Sequence, residues 1–291
     1  MNDKKKHVIK MAHQLFIEKG FQATSIQDIL DYSGIAKGTF YNYFSSKNEL
    51  LMELLKTIYR KMEQDRNELL LGQDPANLEI FIKQIELQME TNRTKKLVAL
   101  FEEVNFSDDK DLKNFIIKGQ LRIIRWFYRR FIDIFGENKK PYLLDCAIMF
   151  NGIIYQNMRY SSMAYDSNSS IHKVVQYSVN RIVKVIEEVS QAGEQLIDPE
   201  VLTRWFPDEQ LEHPYQHRLY NTVLKLKASL TKQDTQAKYH ELLDFIQSEL
   251  TNSKQPRIFL IESAFEAIKN SETPFNENAL KQLEQLIKEY K

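Results

Sequence analysis

Apolar positions along this chain recur at spacings of three and four, and strict alternation is short and rare. Val8, Ile9, Ala12, Leu15 and Phe16 make one helix face, and Gly20 follows where a helix can end in the left-handed conformation. In the stretch ATSIQDILDYSGIA, Thr24 or Ser25 can cap a second helix, with Gln27 or Asp28 three residues on completing a capping box. Ile26, Ile29 and Leu30 form its buried side, and Gly34 lies in the turn that follows. A third, short helix is predicted from about Lys37 to Phe44; Phe40 and Phe44 are four apart and share its inner face. Thr39, Tyr41, Asn42 and Tyr43 then point elsewhere. Ser46 with Glu49 reads as another capping box, opening a helix over about 48–71 before Gly72.

Further helices are predicted around 76–92, 94–105, 108–136, 140–163 and 170–191. The segment from Leu143 to Met158 is apolar nearly all round, which implies burial on several sides. The segment after it is one-sided, with Val174, Val175, Val179, Ile182, Val183 and Ile186 as its stripe. From Gly193 to Pro214 the chain is linker-like, with a short helix in IDPEVLTRWF. Helices follow at 214–231, 233–252, 256–270 and 276–290; their stripes at Leu219–Leu230 and Leu280–Ile287 are too apolar for water and predict a helical bundle packed on the preceding domain. The fold class is all-α, in three parts: residues 1–50, 51–192 and 193–291.

A support helix, a Gly-containing turn and a short second helix with polar and aromatic residues outside are the order of a helix–turn–helix. Such a helix fits the DNA major groove, about 12 Å wide. The run from Met11 to Leu51 resembles the DNA-binding domain of the tetracycline-repressor (TetR) family of bacterial transcription regulators. The resemblance rests on Ala12, Leu15, Phe16, Gly20, Phe21, Thr24, Ile26, Asp28, Ile29, Gly34, Ile35, Lys37, Gly38, Thr39, Tyr41, Phe44, Lys47 and Leu50, in order and without a gap. It implies an all-helical homodimer on a near-palindromic double-stranded operator, with a helical C-terminal domain that dimerises and senses a small molecule. It also implies DNA contacts at Thr24, Ser25, Lys37, Gly38, Thr39, Tyr41, Asn42, Tyr43 and Lys47, the last touching the backbone from the start of the fourth helix. In the resembled family the last two helices of the sensor domain pair with their copies, a role fitted by 143–158 and 171–190. A usual member is about as long as residues 1–192, so the rest is an extension. Two positions depart from the pattern: Ala36 stands where Ser or Thr caps the recognition helix, and Tyr43 where His is common.

Composition narrows the reading. The chain has 291 residues, and its 40 basic and 40 acidic residues give no global field, so any DNA role needs a local patch. Lys4, Lys5, Lys6 and Lys10 offer one near the N-terminus. Cys146 is the only cysteine, which excludes a disulfide framework within the chain, and no apolar run nears the roughly 20 residues of a membrane span. The expectation is a soluble cytoplasmic protein. No nucleophile triad, Gly-rich phosphate loop or paired-carboxylate setting stands out, so no catalytic residue, enzyme activity or cofactor is expected. His213 and His217 have metal-ligand spacing, but no acid lies between them and no third ligand is evident; they read as a surface pair, and no metal is expected.

An aromatic-rich zone between the head and the last helices of the second part supplies candidate ligand-pocket residues: Phe101, Phe106, Trp126, Phe127, Phe150, Tyr155 and Met158. Among polar neighbours, Glu102 and Glu103 suit a cation, and Arg122 and Arg125 suit an anion. The functional expectation is a repressor released from its operator by a small apolar or amphipathic ligand. The alternative is an architectural or division-linked DNA-binding factor without an effector.

Overall fold

The computed structural model describes residues 3–70, 73–105, 108–165, 169–207, 218–219, 222–223, 225–227, 229–230, 237–252, 256–271 and 273–290. Their regular structure is helical, with no strand among them, so the architecture is all-α. They fall into two compact units, residues 1–69 with 75–199, and residues 70–74 with 200–291.

The first unit begins with α1 (Asp3–Lys19), α2 (Ile26–Ser33), α3 (Lys37–Tyr41) and α4 (Lys47–Glu68). Ser25 caps α2, and a full capping box forms with Asp28: Ser25 Oγ accepts from Asp28 N at 3.0 Å, and Asp28 Oδ2 accepts from Ser25 N at 2.8 Å. Gly34 ends α2 at φ 66°, a conformation that a side chain would strain. α3 is a single turn whose cap residue, Ala36, makes no side-chain bond; such a cap forgoes about 1 kcal/mol. Packing holds it instead: Phe40 and Phe44 are buried, each worth roughly 1.5–3 kcal/mol. The second expected capping box is half formed. Ser46 Oγ accepts from Glu49 N at 3.0 Å, but the Glu49 carboxylate turns to Ser45, whose N and Oγ both donate at 2.6 Å.

The unit continues with α5 (Leu78–Thr94), α6 (Leu97–Asn105), α7 (Lys110–Phe135), α8 (Lys140–Tyr165) and α9 (Ile171–Ala192). The core under α1–α4 is continuous with Leu97, Leu100 and Val104 of α6 and Leu112 and Ile116 of α7. The head is therefore fused to the helices behind it. α8 and α9 pack on each other. The α9 stripe expected to face a second subunit is used inside this one: Val175, Val179, Ile182 and Ile186 are all buried within the unit. α9 has one strongly apolar face, and α8 and α5 pack against this helix. After Gly193 (φ 70°) the chain is clasped by Asp145 of α8, which accepts from Leu196 N at 2.7 Å and Ile197 N at 3.1 Å.

The second unit contains α10 (Val201–Trp205), α11 (Ala237–Asn252), α12 (Ile258–Lys269) and α13 (Glu277–Glu289), with further helical residues between 218 and 227. Leu219, Val223 and Leu226 share one core with Leu243, Ile246, Ile261, Ile268, Leu283 and Ile287. The extension thus has its own hydrophobic core, as its stripes require.

Candidate nucleic-acid interface

The turn between α2 and α3 and the outer side of α3 form the candidate surface. Lys37, Gly38, Tyr41 and Asn42 are exposed, and Thr39 and Tyr43 half-buried. Tyr41 is 47% exposed, with its ring edge on Phe40 at 5.4 Å. The aromatic run thus divides by helical phase: Phe40 and Phe44 anchor, Tyr41 is displayed, and Tyr43 lies between. Asp3, Lys4 and His7 of α1 line a shallow hollow with Gly34, Ile35, Ala36 and Thr39. His7 Nε2 sits 3.2 Å from Ser33 O, tying α1 to the end of α2.

Three of the expected DNA contacts are engaged inside the head. Thr24 is fully buried, and its hydroxyl donates to Gly20 O at 2.6 Å. Ser25 Oγ donates to Asp28 Oδ2 at 2.6 Å besides capping α2. The Lys47 ammonium points back into the α1–α2 loop, where it donates to Phe21 O at 2.8 Å, Thr24 O at 2.7 Å and Gln22 O at 3.3 Å. It also stands 4.5 Å over the Phe21 ring. Three donors meet three acceptors, so the ammonium is a clip. Burial lowers its pKa, and the nearby Glu103 and Asp28 charges oppose that shift. A lysine in the first turn of a helix faces the positive end of the helix dipole; that was the available sign that Lys47 needed acceptors of its own. Asp28 is held well below the usual carboxylate range, first by Lys19, then by Ser25.

α6 grips the same loop. Gln22 N donates to Glu103 Oε2 at 2.7 Å, and Gln22 Nε2 donates to Glu103 O at 3.3 Å. Lys96 Nζ donates to Ile17 O at 3.3 Å, and His13 Nε2 lies 3.4 Å from Lys95 O. Glu103, read from sequence as a counter-charge for a cationic ligand, is instead a strut beneath the head.

Residues 8–54, from α1 through the first turns of α4, match the family model described as bacterial regulatory proteins, tetR family. This head is a TetR-type DNA-binding domain. Among relatives of this chain, the uncharacterized HTH-type transcriptional regulator YerO of Bacillus subtilis is 28% identical over 261 residues, covering 87% of this chain and 86% of its own. The uncharacterized regulator YuxN of the same organism is 24% identical over 281 residues, 94% of each chain, so that similarity takes in most residues beyond Ala192. The HTH-type transcriptional repressor KstR2 of Mycobacterium tuberculosis is 38% identical over 56 residues, 19% of this chain and 28% of its own. No solved structure matches significantly. The chain is a DNA-binding helix–turn–helix transcriptional regulator.

Behind the head, the expected pocket residues divide. Phe127 and Phe150 are fully buried and pack ring to ring at 5.0 Å, joined by Phe81 and Phe131. They are core. Trp126 and Met158 are half-buried, and Phe101 packs against the core of the head. Phe106 lies outside the described residues, as do His213 and His217. The Tyr155 hydroxyl enters a polar network that sequence reasoning did not find. Arg66 Nη1 donates to Gln88 Oε1 at 2.8 Å, Gln84 Nε2 to Arg66 O at 2.8 Å, and Arg130 Nε to Gln84 Oε1 at 3.1 Å. Asn92 Nδ2 donates to the Tyr155 hydroxyl at 3.2 Å. The periodicity carried a sign of Arg66: it continues the Leu54–Leu55–Ile58–Met62 stripe of α4 by one more turn. Burial pushes the Arg66 guanidinium down to about 10, where it is still charged at neutral pH. Among the described residues no group of three or more His, Cys, Asp and Glu could hold a metal, and no helix is long and apolar enough to cross a membrane.

Proposed function

We propose that this protein is a homodimeric repressor that leaves a near-palindromic operator when a small amphipathic ligand enters among α4, α5, α7 and α8. The observation that carries this reading is the fusion of head and body. The loop that positions α2 is held by Glu103 of α6, Lys96 just before α6 donates to Ile17 O of α1, and the core of the head runs on into α7. α7 also contributes Trp126 and Arg130 to the buried polar interior. A ligand that favours one arrangement of that interior biases the spacing of the recognition helices through the same contacts. In the bound state Lys37, Gly38, Thr39, Tyr41 and Asn42 face the groove and Tyr43 a phosphate, while Thr24, Ser25 and Lys47 hold the frame that presents them.

The dimer face follows α8. Met149, Gly152, Ile153, Gln156, Tyr160 and Met163 lie at helical spacing on its outer side; Met149, Tyr160 and Met163 are large apolar groups left exposed by the subunit, and Tyr177 of α9 joins them. Charges at Met149 and Met163 are the test: sedimentation and operator binding should report monomers that have lost affinity for the full site. A folded monomer with wild-type affinity for the palindrome would overturn the dimer. Release is tested by operator titration with candidate ligands, and occupancy unmoved by any ligand that binds the interior would overturn it. The reading without an effector draws on the close-packed rings of Phe81, Phe127, Phe131 and Phe150; the charged network beside them favours the effector.

A further inference from the structure

Arg66 lies on the buried side of α4, only 7% exposed. Its guanidinium stacks over the Trp126 ring, 4.0 Å from the centroid. Nη1 is held by the neutral amide oxygen of Gln88. Nε is buried and meets no acceptor. No carboxylate among the described residues comes within ion-pair distance; Glu63, exposed on the preceding turn, acts on it only through space. The Tyr155 hydroxyl oxygen accepts from Asn92 at 3.2 Å and from Gln88 at 3.4 Å, which leaves its own O–H to donate. Arg130 has a second orphaned nitrogen, Nη2, although its charge is matched by Asp133 at 2.7 Å.

Among the described residues, the network around Arg66 therefore holds more donors than acceptors and one uncompensated positive charge. An unpaired buried cation is among the costliest groups a fold can carry, and native interiors pair such groups with an anion. Resting on the effector reading above, we propose that this site receives the carboxylate of an amphipathic organic acid. The Nε–Nη2 edge of Arg66 takes the two oxygens side by side, the Tyr155 hydroxyl donates to one of them, and the apolar body lies against Trp126. A carboxylate fits better than a phosphate monoester: the planar fork matches two coplanar oxygens. A cationic ligand is excluded by the charge already present.

The experiment uses the full chain in a Trp205→Phe background, which leaves Trp126 as the one tryptophan. Dodecanoate and 4-phenylbutanoate are titrated against 1-dodecanol and dodecylamine while Trp126 emission is followed. At least one carboxylate should saturate and perturb the emission, binding at least about tenfold tighter than the alcohol, the least expected from hydrogen bonds to a charged group. Arg66→Met should remove that preference, Arg66→Lys should keep part of it, and Tyr155→Phe, the milder change, should weaken the carboxylate alone. The inference is overturned if neither carboxylate binds, if the alcohol or amine binds as tightly, or if Arg66→Met and Tyr155→Phe both bind as the wild type does. Operator occupancy separates the two readings. Release by the amine without carboxylate binding would sink this inference and keep the effector model. Carboxylate binding through Arg66 that leaves the operator occupied would do the reverse.

Discussion

Replacing Lys47 by Met keeps most of the stem over Phe21 and removes only the ammonium. The structure makes that a stability experiment. Three backbone carbonyls, Phe21 O, Gln22 O and Thr24 O, lose a charged donor at 2.7–3.3 Å. A hydrogen bond to a charged group is worth about 1.5–3 kcal/mol net. Gln22 is exposed, so water can replace the weakest of the three; the other two are part-buried. The loss should be about 2–4 kcal/mol, or a midpoint lower by about 5–12 °C for a unit of this size. Thermal and urea unfolding followed by Trp126 in a Trp205→Phe background reads the first unit alone. The same protein on a mapped operator gives the salt slope. A phosphate contact at Lys47 would reduce that slope by about 1; the clip predicts little change in slope and weaker binding only where the head has loosened. A wild-type midpoint together with a slope lowered by about 1 would refute the argument and return Lys47 to the DNA.

Lys37→Ala, an exposed charge on α3, should lower the salt slope by about 1 with an unchanged midpoint, whereas Tyr43→Phe should weaken all sequences alike if its hydroxyl holds a phosphate. Gly20→Ala meets both a φ of +85° and the Glu103 carboxylate 3.0 Å from the new methyl; it should cost about 1–2 kcal/mol of stability, read by urea unfolding. Asp145→Ala leaves Leu196 N and Ile197 N without their acceptor and should expose residues 194–199 to limited proteolysis several-fold faster. Asp28, Glu49 and Asp109 all have depressed pKa values, held down chiefly by Lys19, by Ser45 and by the Leu112 N–H respectively. Their contribution is therefore full above the unfolded carboxylate values near 4 and lost as pH falls through the lower folded ones. Amide protection factors in α2 and the start of α4 should fall below about pH 4, with a smaller pH response in Asp28→Asn.

Much of the fold is a local code, and the sequence carried it. Helical periodicity separated Phe40 and Phe44 from Tyr41, Ser25 and Asp28 marked the start of α2, and Gly20, Gly34 and Gly193 marked helix ends where φ is positive. Each depends on neighbours within about four residues, which is the range over which spacing and capping chemistry act. The sites depended on longer reach. Glu103 looked like a ligand's counter-charge until folding set it beside Gln22, 81 positions away. Lys47 looked like a phosphate contact until three carbonyls at least 23 positions back closed around it. The α9 stripe announced that it would be buried, but only packing decided that helices of the same subunit, α8 and α5, would lie against it. Arg66 continued the buried stripe of α4 while carrying a charge that ordinarily belongs in water. Which face is apolar is written in the order of residues; what that face meets, and whether a charge on it is paired, is set by segments distant in the chain.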